Sequence, residues 1–217
     1  VAEAPFKFEK NTMLFATPVL SYQIAGHEQL NLALLAEIED RRNSDPGVVR
    51  SNRAGWHSES DFFQRTEPAH AELSAKIGHA VADATKRIAG PGALKTPAHI
   101  QINGWININP TLAYNVPHDH PGSFWSGCYY VNTDPNHARR DEGGAITFID
   151  GRCAPTGQPI VKSQVFHGSY SLRPTPGTLL IFPSNVKHWV HPNTWEGERV
   201  TMAFNAFIYA RKPAPKA

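Results

Sequence analysis

The sequence predicts a mainly β protein, a C-terminal β jelly roll supported by N-terminal α-helices. Two observations carry that expectation. From His99 onward apolar and polar residues alternate with a period of two, and the candidate strands are short and separated by Pro, Gly, Asn and Asp clusters. Before that point the apolar residues recur instead at helical spacing. Short strands without long intervening helices point to an antiparallel sandwich or barrel.

The N-terminal part reads first as a strand, over Met13 to Ile24. A helix follows with Leu30, Leu34 and Ile38 on one stripe, stopping near Asp45-Pro46-Gly47. A second helix is expected from Thr66 as N-cap before Glu67-Pro68, with Leu73, Ile77, Val81 and Ile88 on its packing face and Gly90-Pro91-Gly92 at its end. Between them Gly55-Trp56-His57-Ser58 reads as a polar loop, in which Trp56 either lines a pocket mouth or caps the core. In the C-terminal part Ile100, Ile102, Ile106 and Ile108 alternate with Gln101, Asn103, Trp105 and Asn107. Further strands are expected over Ser126 to Asn132, Ala145 to Asp150, Thr178 to Phe182 and Arg199 to Ile208. The 217 residues are read as one domain, with helical support over 1–98, a β core over 99–208 and a tail over 209–217.

Composition narrows the function classes. Hydrophobic residues make up 41% and charged residues 18%, without charge blocks, which fits a folded globular chain rather than a disordered one. A formal charge of +2 with scattered Lys and Arg gives no phosphate-tracking surface, so no nucleic-acid partner is indicated. No eighteen-residue apolar run and no signal-like segment in Val1 to Lys10 is seen, which predicts no membrane insertion or export and a cytoplasmic location. The two cysteines, Cys128 and Cys153, have no metal-ribbon or redox spacing and read as reduced thiols.

The stretch Val116-Pro117-His118-Asp119-His120-Pro121 carries the chemistry. In an extended segment side chains alternate faces, so His118 and His120 point the same way and Asp119 the opposite way. Two imidazoles so placed share one metal when a third ligand arrives from a distant strand. His188, just after the apolar strand ending at Phe182-Pro183, is placed to be that ligand. Imidazole suits iron, zinc, copper and nickel, so the ligands alone do not name the metal. The other reading of each histidine is a surface or hydrogen-bonded core residue; the chain has 11, including His167 and His191 near candidate regions and His137 in a polar loop. Cys128 shares the candidate pocket, as a buried inert thiol or a nucleophile. No Gly-x-Ser-x-Gly elbow is present, and Gly143-Gly144 reads as a tight turn rather than a phosphate loop.

The order of these segments resembles the 2-oxoglutarate and iron(II)-dependent oxygenase superfamily, in particular its prolyl-hydroxylase-like branch. Over roughly residues 99 to 208 the chain offers His118-Asp119-His120, Ser126-Gly127-Cys128-Tyr129-Tyr130-Val131-Asn132, Gly143-Gly144-Ala145-Ile146-Thr147-Phe148, Pro176-Gly177-Thr178-Leu179-Leu180-Ile181-Phe182-Pro183, His188 and Arg199-Val200-Thr201-Met202-Ala203-Phe204. It is most similar to a bacterial subgroup of unassigned substrate with a His-x-His-Pro segment. The resemblance implies a cupin-like double-stranded β-helix, Fe(II) as metal, 2-oxoglutarate as cosubstrate and hydroxylation of a small-molecule or peptide substrate. It also implies that His118, His120 and His188 are the metal ligands and that Arg199 anchors the cosubstrate. Thr201, on the same face as Arg199, and Tyr130, which assists it, would join that anchor, with Asn107 on a neighbouring strand. His120 departs from the pattern, standing where the superfamily usually has a carboxylate. A bulge could instead bring Asp119 to the metal. The remaining alternatives are a three-histidine dioxygenase that ignores 2-oxoglutarate and a metal-binding jelly roll that senses without turnover.

Overall fold

A computed structural model describes residues 9–10, 12, 14–90, 98–136, 141–152 and 167–210. Met13, Pro91, Gly92, His137 and Cys153 lie outside the described residues. The elements in chain order are β1 (Leu20–Gln23), α1 (His27–Ser44), β2 (Asn52–Arg53), β3 (Trp56–His57), a 3-10 turn (Phe62–Gln64), α2 (Pro68–Ala89), β4 (Ala98–Asn109), β5 (Tyr114–His118), β6 (Trp125–Asn132), β7 (Ile146–Ile149), β8 (Ser169–Leu172), β9 (Thr178–Pro183), β10 (His188–Val190) and β11 (Arg199–Ala210). A six-stranded sheet runs β1-β9-β6-β11-β4-β3 and a five-stranded sheet β2-β5-β10-β7-β8. Every pairing between these strands is antiparallel. The antiparallel strands are those expected from the alternation, and their arrangement is the double-stranded β-helix that the resemblance implied.

Strand parity sorts the apolar residues into two cores. Ile106, Ile108, Tyr129, Val131, Met202 and Phe204 project from the six-stranded sheet toward the helices, where they meet Leu34, Ile38, Leu73, Ile77 and Val81. The opposite parity, Cys128, Tyr130, Leu180 and Phe182, faces Ile146 and Phe148 of the other sheet. Gly127 falls on the helix side, where a Cβ would run into the Phe204 ring, so the two central strands close only over a glycine.

Several local expectations are corrected. Of the strand expected over Met13 to Ile24, only Leu20–Gln23 pairs, against β9. The second helix takes Pro68 at its first position with Glu67, not Thr66, as N-cap, and no side chain of its own caps it. Glu37 on α1 does this instead, accepting from the backbone N–H of Ala69 (2.9 Å) and His70 (3.0 Å) and from His70 Nδ1 (2.6 Å). Two orphan donors and the positive end of the helix dipole are thereby satisfied across the helix pair. Ile88 is 50% exposed, and the buried face of α2 ends at Thr85. Trp56 belongs to β3 and packs against the core, its Nε1 donating to the Asp45 carbonyl (2.9 Å). Strands β5, β8 and β10 were not anticipated as such. Among the described residues no helix is long and apolar enough to cross a membrane.

Candidate metal centre

The five-stranded sheet delivers the histidines. His118 ends β5 and His188 opens β10, and the two are register partners. His120, two residues past His118, is held by its backbone N–H on the Ser184 carbonyl (2.9 Å). Ring centroids lie 4.5 Å (His118–His188), 5.0 Å (His118–His120) and 5.3 Å (His120–His188) apart. One potential ligand atom from each falls within 4.8 Å of the others. The parity expectation for His118 and His120 therefore describes the geometry, and Asp119 turns away to Lys187 (3.6 Å). No bulge brings it to the cluster.

Hydrogen bonding prepares two of these rings as ligands. His118 Nδ1 donates to the Val116 carbonyl (2.6 Å) and His188 Nδ1 to the Val186 carbonyl (2.9 Å). A carbonyl only accepts, so Nδ1 carries the proton and Nε2 keeps its lone pair. Burial holds all three rings neutral: it pushes His118 below the ordinary imidazole range. Burial and the neighbouring His118 take His120 to about 4 and His188 to about 3. Neutral, preoriented imidazoles are what a first-row divalent metal requires.

The six-stranded sheet supplies the opposite wall of a cavity that opens to solvent with about 460 Å³ of empty space. Its lining includes the three histidines, Trp105, Asn107, Cys128, Arg199 and Thr201. Register explains the grouping, since Thr201 lies between Asn107 on β4 and Tyr130 on β6, and Ala203 between Trp105 and Cys128. Arg199 is 3% exposed, its guanidinium 5.1 Å from the Tyr130 ring centroid. Nε donates to the Gly144 carbonyl (3.0 Å) and one Nη to Thr201 Oγ1 (3.4 Å), while Nη2 is buried without a partner. The fork expected from the sequence is thus half committed to the β6–β7 connection. The Tyr130 hydroxyl is also buried and unpartnered, and burial raises its pKa well above the usual phenol value, so it stays a donor. The Asn107 Oδ1 is unpartnered as well.

Some expectations do not join the site. Asn109, which shares the parity of Asn107, turns its amide to Asn115 Oδ1 (3.2 Å). His191 bonds Thr147 Oγ1 (2.7 Å), and His167 is exposed. Burial raises the Cys128 pKa, leaving the thiol protonated rather than nucleophilic. Conversely, the polar-loop reading missed His57. It is a buried residue of β3, paired in register with Asn107, and stacks on Trp105 (5.6 Å, 11° between planes), which in turn meets His120 at 5.6 Å.

Three histidines on one roll that could hold a metal ion face a buried arginine across an open cavity, on a double-stranded β-helix. Residues 103–205 match the family described as “Putative 2OG-Fe(II) oxygenase”. That match, together with the fold, supports a 2-oxoglutarate and Fe(II)-dependent oxygenase, an enzyme that uses those two cofactors. Its fold is similar to a prolyl-4-hydroxylase of Pseudomonas putida, at 15% identity and TM-score 0.59, over 90% of this chain and 93% of that one. It is likewise similar to a Trichoplax adhaerens prolyl hydroxylase crystallised with a hypoxia inducible factor peptide fragment, at 14% identity and TM-score 0.60, over 87% and 83%. A third is HygX of Streptomyces hygroscopicus, crystallised with nickel, 2-oxoglutarate and hygromycin B, at 14% identity and TM-score 0.58, over 88% and 83%. No curated protein sequence gives a significant match.

Proposed function

We propose that the protein is an Fe(II)- and 2-oxoglutarate-dependent dioxygenase that hydroxylates a C–H bond, with the metal on His118, His120 and His188. The far carboxylate of 2-oxoglutarate pairs with Arg199 and Tyr130, flanked by Thr201 and Asn107. The observation that carries this is a pair of orphaned donors: Arg199 Nη2, on a residue lining the same cavity as the histidine cluster, and the hydroxyl of Tyr130, whose ring lies against the Arg199 guanidinium. Leaving a buried donor unmade costs roughly 1–3 kcal/mol, more for a charged one, and a carboxylate would satisfy both at once.

The residues present fit the cofactors. The neutral Nε2 atoms suit Fe(II), and beside Arg199 the six-stranded sheet lines the cavity with the small side chains Thr201 and Ala203. Bound iron supplies oxygen activation. The protein's own part is to seat the cosubstrate, keep Arg199 charged and Tyr130 protonated, and hold the substrate carbon against the open side of the cluster. Overall, 2-oxoglutarate, O₂ and R–H become succinate, CO₂ and R–OH.

The test is oxygen consumption and succinate formation by Fe(II)-loaded protein. Succinate that requires both Fe(II) and 2-oxoglutarate supports the assignment. Oxygen uptake indifferent to 2-oxoglutarate would favour a three-histidine dioxygenase drawing electrons from its substrate, and metal binding without either product a non-catalytic sensor.

A further inference from the structure

The pocket face of the six-stranded sheet does not stop at the cavity. Strand β6 leaves β11 at Trp125 opposite Ala206, but β4 and β11 stay paired to Ala98 opposite Ala210. Their parity carries the same face outward, so that Trp105, Asn103, Gln101 and His99 stand beside Ala203, Asn205, Phe207 and Tyr209 in register. The opposite face, with Ile100, Ile102 and Ile208, packs on the helix-side core. At about 3.3 Å per residue the open face reaches roughly 20 Å from Ala203 to Tyr209.

Its surface is unusual for a sheet exposed to water. Tyr209 is 44% exposed and stacks on Phe207 (6.2 Å, 5° between planes) and near His99 (5.3 Å). Phe124, 53% exposed, lies beside them through its N–H on the Ala206 carbonyl (2.8 Å). Closer to the histidines come carboxamides: Asn205 accepts from Ser126 (2.8 Å), and Asn103 Oδ1 is buried without a partner. No Asp, Glu, Lys or Arg occurs on β4 from Ala98 to Trp105 or on β11 from Ala203 to Ala210.

We propose that this ribbon is the substrate platform and that the substrate is a neutral saccharide chain, bound along β4 and β11 with one ring delivered to the metal cluster. Flat aromatic faces pack against the C–H faces of sugar rings, and a carboxamide sets a donor and an acceptor side by side, matching neighbouring hydroxyls. The missing charges exclude acidic and amino sugars as favoured occupants, since nothing on the ribbon would neutralise them. The length accommodates several rings. A peptide fits less well: laid flat on the face, it would meet main-chain groups that β4 and β11 spend on each other, leaving its own amides only three carboxamides. What happens to the delivered ring rests on the dioxygenase reading; the docking does not.

Calorimetric titration of the metal-free protein with neutral linear hexasaccharides of glucose, mannose, xylose and N-acetylglucosamine tests this, with galacturonate and glucosamine hexamers and an uncharged extended peptide as comparators. At least one neutral hexamer is expected to bind, with affinity falling tenfold or more in Tyr209→Ala and in Phe207→Ala and unchanged in His79→Ala, exposed on α2 away from the ribbon. No neutral hexamer bound at millimolar concentration would overturn the proposal. So would equal binding of the charged hexamers, insensitivity to both aromatic substitutions, or the same sensitivity shown by the peptide. Because this readout needs neither metal nor 2-oxoglutarate, its failure leaves the dioxygenase assignment standing, and failure of succinate formation leaves the platform standing.

Discussion

Replacing Arg199 by Lys or Ala should weaken 2-oxoglutarate binding, and the geometry sets how far. A full bidentate charge pair in a dry pocket is worth about 2–5 kcal/mol on truncation. Here Nε is already bound to the Gly144 carbonyl and one Nη to Thr201, so a carboxylate meets a single free arm together with the Tyr130 hydroxyl. The lower part of the range applies, about 2–3 kcal/mol, which is roughly a 30- to 150-fold loss of affinity. Arg199→Ala also strips the Gly144 carbonyl of its partner and loosens the turn before β7, so a thermal melt must accompany it. Tyr130→Phe is the cleaner companion, removing one donor to a charged acceptor for about 1.5–3 kcal/mol without changing ring packing. Arg199→Lys keeps the charge but cannot hold Gly144 and the carboxylate together, and should recover little. The assay is anaerobic calorimetric titration of 2-oxoglutarate into the Mn(II)-loaded protein. Wild-type affinity in both Arg199→Lys and Tyr130→Phe would remove these residues from the cosubstrate site.

His120→Ala should abolish metal retention through gel filtration, read by elemental analysis, while His79→Ala, exposed on α2, should leave it intact. His120→Asp should instead tighten Mn(II) binding in the absence of cosubstrate, because it places an anion opposite the cation. In the native protein Mn(II) affinity should rise at least tenfold when 2-oxoglutarate is present, and by linkage cosubstrate affinity should rise by the same factor with metal; superimposed isotherms would refute a shared site. Burial opposes ionisation of Glu37, but the bonds from His70 and from the first N–H groups of α2 outweigh it and hold the carboxyl below its ordinary value. A lowered folded pKa gives stability that is present above the unfolded value near 4.5 and lost as pH falls through the folded one, so acid unfolding should begin below about pH 4.5. Glu37→Gln should cost about 1–2 kcal/mol at pH 7 and flatten that acid limb in urea titrations.

Period-two alternation made the roll legible, because a residue facing the cavity on β11 fixes those two positions away. The grouping of Arg199 with Thr201, and of His118 with His120, follows from that alone. What stayed hidden depends on contacts between distant segments. Strand β3 is two residues long, too short to show a period, so His57 read as loop although pairing with β4 places it against Trp105. Glu37 caps a helix that starts more than thirty residues later, and no local pattern announces it. Asn109 shares parity with Asn107 but sits where β5 turns back, and Asn115 takes its amide. Parity names a face, while the neighbouring chain decides whether that face is cavity or packing.

The substitution of His120 for a carboxylate acquires its meaning from the charges around it. Asp119, the nearest carboxylate in sequence, is on the other face with Lys187, and among the described residues the lining of the cavity contains no Asp or Glu. Among the described residues its one permanently charged side chain is Arg199, buried and positive. A divalent metal on three neutral imidazoles would therefore bring the cavity to a formal charge of +3 with no protein anion to offset it. Charge left uncompensated in a desolvated site is costly, and it is reduced most by a ligand carrying two negative charges that reaches both the metal and the guanidinium. A dicarboxylate does that and a monoanion does not. Once a dianion is seated, the cavity carries a residual +1 and the ribbon leading to it none, so an uncharged substrate enters without further compensation. In the proposed site the neutral triad would thus transfer to the cosubstrate the electrostatic role that a ligating carboxylate otherwise plays, and would make metal retention conditional on cosubstrate supply.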